Sequence, residues 1–286
     1  MKSFELVEPS TLDEAIRLLD PQDRSVRAIA GGTALMLMMK TRLFQPTRLV
    51  SLRRLNGDLR GIRATDKGGL RLGAMTSLAE LEYSPMLAST HPVMSRALRT
   101  LSNIRVRNVA TLGGHLAHGD PHMDLPPILL TLDAKVSIAG SGGSRSIGIA
   151  DLLVGYYQTS LEKNELITAV DVPALTPDVH SWYEKFTGRS ADDWPTVGVA
   201  VWFRVNSNVI TEARIAVSAA TDRPLRMAAA ENLLMNAAPT QQSFSKAADA
   251  VADEVQPLTD LHGSASYKRE MVRVHVRRAL EHAWQR

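Results

Sequence analysis

Two glycine pairs, Gly31-Gly32 and Gly113-Gly114, are the residues whose type and spacing most suggest chemistry, and both precede apolar stretches. Phosphate oxygens need main-chain N–H donors at close range, and glycine lets the backbone come that near while adopting a positive φ. One such pair is most often ordinary turn chemistry. Two pairs in similar settings predict two loops that together grip one anionic, phosphate-bearing cofactor.

The second glycine pair lies in an irregular stretch, residues 100–134, that also carries histidines and aspartates. His115, His118 and His122 invite a metal-site interpretation, but they lack a fixed helical or strand spacing and an evident fourth ligand, so we predict no metal. Asp124 could cap the helix that follows, or its carboxylate could accept a hydrogen bond from a ribityl or ribose hydroxyl. Both roles of Asp124 are open at this stage.

Several common kinds of site have no signature in the sequence. The motifs G-x-G-x-x-G and G-x-x-x-x-G-K-[ST] are absent, so a nucleotide would be held by a different fold. No Ser-His-Asp or paired-carboxylate constellation can be assembled, and no nucleophile is evident. Cysteine is also absent, which excludes thiol catalysis, disulfides and Fe–S or zinc-thiolate ligation by this chain. Any metal or cluster chemistry must therefore come from a partner.

The composition is that of an ordinary globular protein, with 286 residues, 44% of them hydrophobic and 22% charged. This length favours two domains, or one large domain with a satellite. The formal net charge of +3 comes from basic residues scattered among nearly as many acidic ones, which disfavours nucleic-acid binding. No run of 18 apolar residues and no secretory signal is present, so we expect a cytoplasmic location.

The elements around the first glycine pair are predicted to run strand, glycine turn, helix, an order that points free N–H groups at a phosphate. Other strands are expected at 48–55, 59–65, 69–75, 166–172, 182–186, 195–205 and 209–220. Helices are expected at 10–20, 34–40, 77–85, 92–101, 224–237, 240–254 and 266–284. We expect a polar turn at 140–146 and a domain boundary near 174–181. The last helix is expected to bury Tyr267, Met271, Val274, Val276, Ala279 and Leu280.

At the glycine loops the sequence resembles a known family. AIAGGTALMLMMK (28–40) and TLGGHLAHGDPHMDLPPILLTLDA (111–134) are similar to the two FAD-contacting motifs of the FAD-binding medium subunit of molybdenum hydroxylases, the xanthine dehydrogenase and carbon monoxide dehydrogenase family. The resemblance extends, in order, through GAMTSLAELE, RVRNVATLGG, GYYQTSL, ITAVDVP, YEKFTGRSADDW and GSASYKREMVRVHVRRAL. It covers essentially the whole chain.

The resemblance implies an α+β fold in two domains. Residues 1–175 would form a PCMH-type, vanillyl-alcohol-oxidase-like FAD-binding domain of two α/β subdomains, at about 1–56 and 57–175. Residues 176–286 would form a C-terminal α+β domain, an antiparallel sheet with helices, like that of the CO dehydrogenase flavoprotein.

The resemblance also implies partners. A small subunit would carry two 2Fe–2S clusters and a large subunit would carry the molybdopterin cofactor, in a heterotrimer that pairs into a dimer of heterotrimers. This chain would be an oxidoreductase subunit that receives electrons from the clusters and passes them from FAD to NAD, oxygen, a quinone or another carrier. The substrate, whether a purine, CO, an aldehyde or an N-heterocycle, would be chosen by the large subunit.

By motif, the resemblance assigns FAD contacts and no catalytic residue or metal ligand to this chain. The first loop would wrap the pyrophosphate, the second would form another phosphate loop, and Asp124 would bind a flavin hydroxyl. Leu101, Ile167 and Trp194 would lie near the flavin ring, and Lys185 near its polar edge. The full set is Ala28, Ile29, Ala30, Gly31, Gly32, Thr33, Ala34, Leu35, Leu101, Thr111, Leu112, Gly113, Gly114, His115, Asp124, Ile167, Lys185 and Trp194.

Two positions depart from the family pattern. His115 stands where relatives usually have Asn, Asp or Ser, and its charge could depend on pH. Thr33-Ala34 replaces the commoner Gln-Ser or His-Ser, which removes one hydroxyl. No cysteine-bearing insertion for an additional Fe–S cluster is present. Two other functions stay open, namely a structural scaffold that has lost the flavin and a stand-alone PCMH-type flavin oxidase.

Overall fold

The N-terminal layer is a small parallel sheet. The computed structural model describes residues 2–55, 57 and 59–285. The first elements along the chain are β1 (Glu5–Val7), α1 (Leu12–Leu18), β2 (Val26–Ile29), α2 (Thr33–Lys40) and β3 (Arg48–Ser51). The three strands pair in parallel in the order β1-β3-β2. Parallel strands need long crossovers, which α1 and α2 provide here.

The middle layer is an antiparallel sheet covered by helices. Its elements are β4 (Ile62–Ala64), β5 (Leu70–Gly73), α3 (Leu78–Glu82), α4 (Pro85–Thr90), α5 (Pro92–Leu98), α6 (Ile104–Arg107), α7 (Leu112–His118), α8 (Leu125–Thr131), β6 (Lys135–Gly140), β7 (Gly143–Gly148), α9 (Ile149–Leu152), β8 (Leu153–Gly155), β9 (Gln158–Thr159) and β10 (Leu166–Val172). Five of the strands form one sheet in the order β4-β5-β10-β6-β7, and β8 pairs with β9 separately.

The C-terminal layer is a second antiparallel sheet, followed by three helices. Its elements are β11 (Val179–Phe186), β12 (Val197–Asn206), β13 (Val209–Ser218), β14 (Leu225–Arg226), α10 (Ala228–Leu234), α11 (Gln241–Glu254) and α12 (Ala265–Trp284). The strands pair in the order β11-β12-β13-β14. The α+β class predicted from the sequence is confirmed.

The C-terminal sheet is buried on both faces because its strands alternate between two cores. Ala200 and Trp202 of β12 pack into the core of the middle layer. Val199, Val201 and Phe203 of the same strand pack into the core beneath α10, α11 and α12. Because successive side chains of a strand point to opposite faces, β12 packs against the middle layer on one face and against the C-terminal helices on the other. No helix in residues 2–55, 57 and 59–285 is long and apolar enough to cross a membrane.

One sequence expectation about local structure is wrong, and two are right only in part. The stretch around the second glycine pair is not irregular, because α6 and α7 lie within it. Its two glycines lower the helix propensity, but the Thr111 side chain caps α7 by accepting from the Gly114 N–H. The polar turn predicted at 140–146 is present but shorter, at 141–142 between β6 and β7, and the rest of the segment is strand.

The buried face of α12 includes Val276, Ala279 and Leu280 as predicted, but it does not include Tyr267. Tyr267 is 44% exposed, whereas Lys268 and His275 are buried with Val276. Lys268 can be buried because its Nζ donates to Asp260 at 2.6 Å, and that charged pair takes the place of an apolar contact.

Candidate cofactor-binding site

The two glycine loops lie against each other, although about eighty residues separate them in the sequence. A side-chain carbon added at Gly31 would lie 2.1 Å from the Val109 carbonyl oxygen, and one added at Gly114 would lie 3.7 Å from Ala30 Cβ. Backbone therefore packs on backbone at Gly31, which only glycine allows. The structure brings together the loops that the sequence analysis paired.

The first loop offers free main-chain donors. Gly32 adopts the left-handed conformation, with φ 70°, and begins α2 without any side-chain cap. Within the described part of the chain, the N–H groups of Thr33, Ala34 and Leu35 have no acceptor, while the next one, on Met36, bonds the Gly32 carbonyl at 2.8 Å. Unpaired N–H groups in the first turn of a helix carry partial positive charge. This loop can therefore bind an anion.

The second loop uses its main-chain donors internally. The N–H groups of Leu112, Gly113 and His115 bond the carbonyl oxygens of Thr76, Ala74 and Thr111 at 3.0, 2.8 and 2.8 Å. The Gly114 N–H bonds Thr111 Oγ1 at 3.2 Å. The backbone of this loop is thus fixed before any ligand binds.

The His115 side chain is what the second loop leaves unsatisfied. Its Nε2 is buried and has no hydrogen-bond partner among the described residues. Burial lowers the pKa of His115 to about 4, so the ring is neutral near pH 7. A buried polar atom without a partner is uncommon in native proteins, and a ligand at the loop would satisfy it. This observation fits a bound cofactor at the paired loops.

The other two histidines of the cluster are engaged separately. His122 Nδ1 lies 2.8 Å from Asp120 Oδ1, and the ring of His118 packs edge-on against Tyr157 at 5.2 Å. Burial opposes the charge of Asp120, yet hydrogen bonds from the side chain and backbone of His122 lower the pKa of the Asp120 carboxyl. His122 and His118 therefore contact different residues, Asp120 and Tyr157.

The Asp124 carboxylate is held by two side chains of β11. The Tyr183 hydroxyl donates to Asp124 Oδ1 at 2.7 Å, and Lys185 Nζ donates to Oδ2 at 3.2 Å. Lys185 also donates to the Thr100 carbonyl oxygen at 2.8 Å. Asp124 makes no side-chain cap bond to α8, so the capping role left open by the sequence is wrong. Burial raises the pKa of the Asp124 carboxyl, and the nearby Lys185 ammonium and Tyr183 hydroxyl oppose that rise.

The apolar residues assigned by motif fall into two environments. Leu101 and Ile167 are buried in the core of the middle layer, and Ile167 lies at an irregularity of the β10–β6 pairing. Trp194 is 50% exposed, and its ring stacks on His122 with centroids 5.6 Å apart. Nothing in this geometry assigns these residues to a ligand, so their roles stay predictions.

Tyr183 is the residue that the sequence analysis missed. It lies two positions before Lys185, and side chains two apart on a strand share a face. The alternation in YEKF, which places Tyr183 and Lys185 together on β11, was the available signal.

Together, the paired glycine loops, the free donors of α2 and the mixed three-layer fold define a protein that binds a phosphate-bearing cofactor. Residues 2–175 match the family described as FAD binding domain in molybdopterin dehydrogenase. Residues 182–283 match the family described as CO dehydrogenase flavoprotein C-terminal domain. The chain belongs to this family of FAD-binding medium subunits of molybdenum-containing hydroxylases, as the motif resemblance predicted.

Individual relatives match along nearly the whole length. The carbon monoxide dehydrogenase medium chain of Hydrogenophaga pseudoflava is 35% identical over 99% of this chain and 98% of its own. The nicotine 6-hydroxylase medium subunit of Paenarthrobacter nicotinovorans is 33% identical, over 99% and 98%. A solved structure of carbon monoxide dehydrogenase from Hydrogenophaga pseudoflava superimposes with a TM-score of 0.95 at 35% identity, covering 99% of this chain and 98% of that one.

Proposed function

We propose that this chain holds FAD at the two glycine loops. In a molybdenum hydroxylase complex, it would pass electrons from FAD to an external acceptor. The observation that carries the proposal is that, among the described residues, neither the N–H groups of Thr33, Ala34 and Leu35 nor the buried Nε2 of His115 has a partner. The free donors suit the pyrophosphate of a dinucleotide, and the fixed second loop supplies a preformed wall.

We assign the individual contacts as follows. Residues 28–35 take the pyrophosphate, and residues 111–115 form the facing wall, from which His115 donates to the cofactor as a neutral imidazole. Asp124 accepts from a flavin hydroxyl, and Lys185 lies near the polar edge of the ring. Leu101, Ile167 and Trp194 supply apolar surface. FAD, when bound, supplies the exchange of electrons between one-electron and two-electron partners.

We place the other cofactors on partner subunits. A chain without cysteine has no thiolate ligands for Fe–S clusters. A small subunit with two 2Fe–2S clusters would therefore deliver electrons, and a large molybdopterin subunit would act on the substrate, in a cytoplasmic dimer of heterotrimers. Assays of the complex with NAD, oxygen and quinones would identify the acceptor. The relatives named above act on carbon monoxide and nicotine, and the substrate of this complex would be set by its large subunit.

The proposal is tested on the chain purified with its partner subunits. We expect a flavin absorption spectrum and extractable FAD in the unmodified complex. Replacing Gly32 or Gly114 with valine should remove FAD, because the new side chain would strain a left-handed backbone at Gly32 and would press against Thr111 and Ala30 at Gly114. Gly142→Ala is the control, since no atom lies within 4 Å of the added carbon.

Two outcomes would count against the proposal. A correctly folded, colourless complex with no extractable FAD would contradict flavin binding and favour a scaffold. Substrate oxidation by the isolated chain would instead favour a stand-alone flavin oxidase.

A further inference from the structure

The Asp124 carboxylate is held across the boundary between the two matched families. Asp124 and Thr100 belong to the FAD-binding match, at residues 2–175, while Tyr183 and Lys185 belong to the C-terminal match, at residues 182–283. The Lys185 and Asp124 side chains are only 7% and 6% exposed, so their ion pair is shielded from water. In such a setting a missing donor is costly, because a buried charge is left without a partner.

The Tyr183 hydroxyl is always available as a donor to Asp124. Burial raises the pKa of Tyr183 well above its usual value, and the negative charge of Asp124 raises it further. The phenol therefore keeps its proton throughout the physiological range. Tyr183 donates at 2.7 Å, a shorter contact than the 3.2 Å of Lys185, so it is the tighter of the two side-chain bonds to the carboxylate.

The space for this hydroxyl exists because β12 carries a glycine beside it. Gly198 pairs with Lys185 on one side and with Ser218 on the other. A side-chain carbon at Gly198 would lie 2.8 Å from the Tyr183 hydroxyl and 2.4 Å from Ser218 Oγ. Any larger residue at position 198 would therefore push the Tyr183 hydroxyl from its place.

Tyr183 also controls how much of the Lys185 charge is balanced. With both donors present, the Lys185 ammonium and the Tyr183 hydroxyl both oppose the rise that burial causes in the pKa of the Asp124 carboxyl. Without the hydroxyl, Asp124 would lose one of its two side-chain donors and would take up a proton, or turn away, more readily. Asp192 also interacts electrostatically with Lys185, but it is exposed and interacts with Arg107 as well.

We infer that Tyr183 is a positioning residue of the flavin site, whose hydroxyl fixes Asp124 and thereby the Asp124–Lys185 ion pair, in a space that Gly198 keeps open. The inference rests on the proposed function, because the Asp124–Lys185 pair can act on FAD only if FAD binds at this site. It predicts that Tyr183 affects the cofactor without touching it.

The test compares Y183F with Y83F in the complete complex. Tyr83 is an exposed tyrosine at the end of α3, so its change removes the same atom away from the site. Y183F should weaken FAD binding about ten-fold, the loss expected for one hydrogen bond to a charged group. It should also shift the reduction potential of the bound flavin to a more positive value, because the less balanced Lys185 charge favours the reduced, anionic form. Y83F should change neither.

A second comparison shows whether Tyr183 acts through Asp124. In a D124A background, where position 124 offers no side-chain oxygen to the Tyr183 hydroxyl, Y183F should cause little further change in either measurement. A full ten-fold effect in that background would overturn the inference, as would a Y183F complex that matches Y83F in affinity and potential.

A separate variant covers the case in which Y183F does not assemble. G198A/S218A relieves the closest contact of the new methyl group but still displaces the Tyr183 hydroxyl. We expect the same ten-fold weakening relative to S218A alone, which accounts for the interaction of Ser218 with Tyr183. Unchanged affinity in this variant would overturn the inference. If the unmodified complex itself contains no FAD, the proposed function fails, which is distinct from failure of the inference alone.

Discussion

The two glycine loops use the same residue pair in opposite ways. The first leaves the N–H groups of Thr33, Ala34 and Leu35 free at the start of α2. The second bonds the N–H groups of residues 112–115 within the chain, while the His115 Nε2 has no partner among the described residues. The first loop is thus open to a ligand, whereas the second is a fixed support. A repeated motif in one chain does not imply a repeated role.

The largest effect is expected from a substitution that disrupts the contact between the two loops. Gly31→Ala would place a carbon 2.1 Å from the Val109 carbonyl oxygen and 2.8 Å from Ala110 Cα, and no side-chain rotation can relieve a clash with backbone. We expect a loss of about 3 kcal/mol or more in the free energy of unfolding, together with loss of FAD. Urea unfolding and FAD content measure both. If Gly31→Ala were as stable as Gly142→Ala, the contact between the loops would be disproved.

The burial of His115 in the second loop predicts that the free energy of unfolding depends on pH. Its pKa is lowered from 6.5 to about 4 in the folded protein, so the unfolded chain binds the proton more tightly. The stability linked to His115 is therefore complete above pH 6.5 and falls as the pH drops towards 4. Between pH 7.5 and 5 the loss should be roughly 2 kcal/mol.

The matched variant for His115 is His115→Asn, which keeps a polar side chain but does not titrate. Urea unfolding of the FAD-free protein at pH 7.5 and pH 5 should show a smaller acid loss in the variant, by about the same 2 kcal/mol. Equal acid losses in both proteins would mean that His115 is not buried as a neutral ring.

A substitution at Ala34 tests whether the free N–H groups of the first loop bind the pyrophosphate. Ala34→Asp should stabilise the FAD-free protein slightly, by about 0.3–1 kcal/mol, because a carboxylate in the first helical turn interacts favourably with free N–H groups. The same charge would repel pyrophosphate, so FAD binding should weaken roughly ten-fold or more. Ala34→Asn is the neutral control, with a smaller effect on both. Normal FAD binding by the Ala34→Asp variant would place the pyrophosphate elsewhere.

Thr111 carries the smallest expected effect. Thr111→Ala removes the cap of α7 and should cost about 1 kcal/mol in thermal or urea unfolding, whereas Thr111→Ser keeps the accepting oxygen and should cost less. FAD affinity should change little in either variant if the second loop is a support. A large loss of affinity in Thr111→Ala, without a matching loss of stability, would instead make Thr111 a direct ligand.

Much of this architecture follows from local patterns. The turn at Gly68, the Pro92 start of α5 and the Thr11 cap of α1 are all short-range signals, and each is present in the structure. The fold class and the family also follow from the order of motifs along the chain. The helices α6 and α7 were missed because their glycines and polar residues obscure the helical pattern, which capping and tertiary contacts restore.

The contacts that complete the site could not be predicted in the same way. Asp124 meets Tyr183 across 59 residues and Lys185 across 61, and no local pattern encodes such a meeting. The free state of the α2 donors and the internal bonds of the second loop also depend on tertiary packing. Sequence motifs predicted a set of cofactor-binding residues, and the fold shows which main-chain donors in the two loops are already bonded.

The bonds from β11 to Asp124 also order events during synthesis. Asp124 leaves the ribosome 59 residues before Tyr183 and 61 before Lys185. Until β11 follows, the carboxylate has no donor, and closing the middle layer around it is unfavourable. We therefore expect the cofactor cleft to mature late in translation, after the C-terminal sheet has docked. Insertion of FAD would then report that the chain has been made at least through the C-terminal sheet.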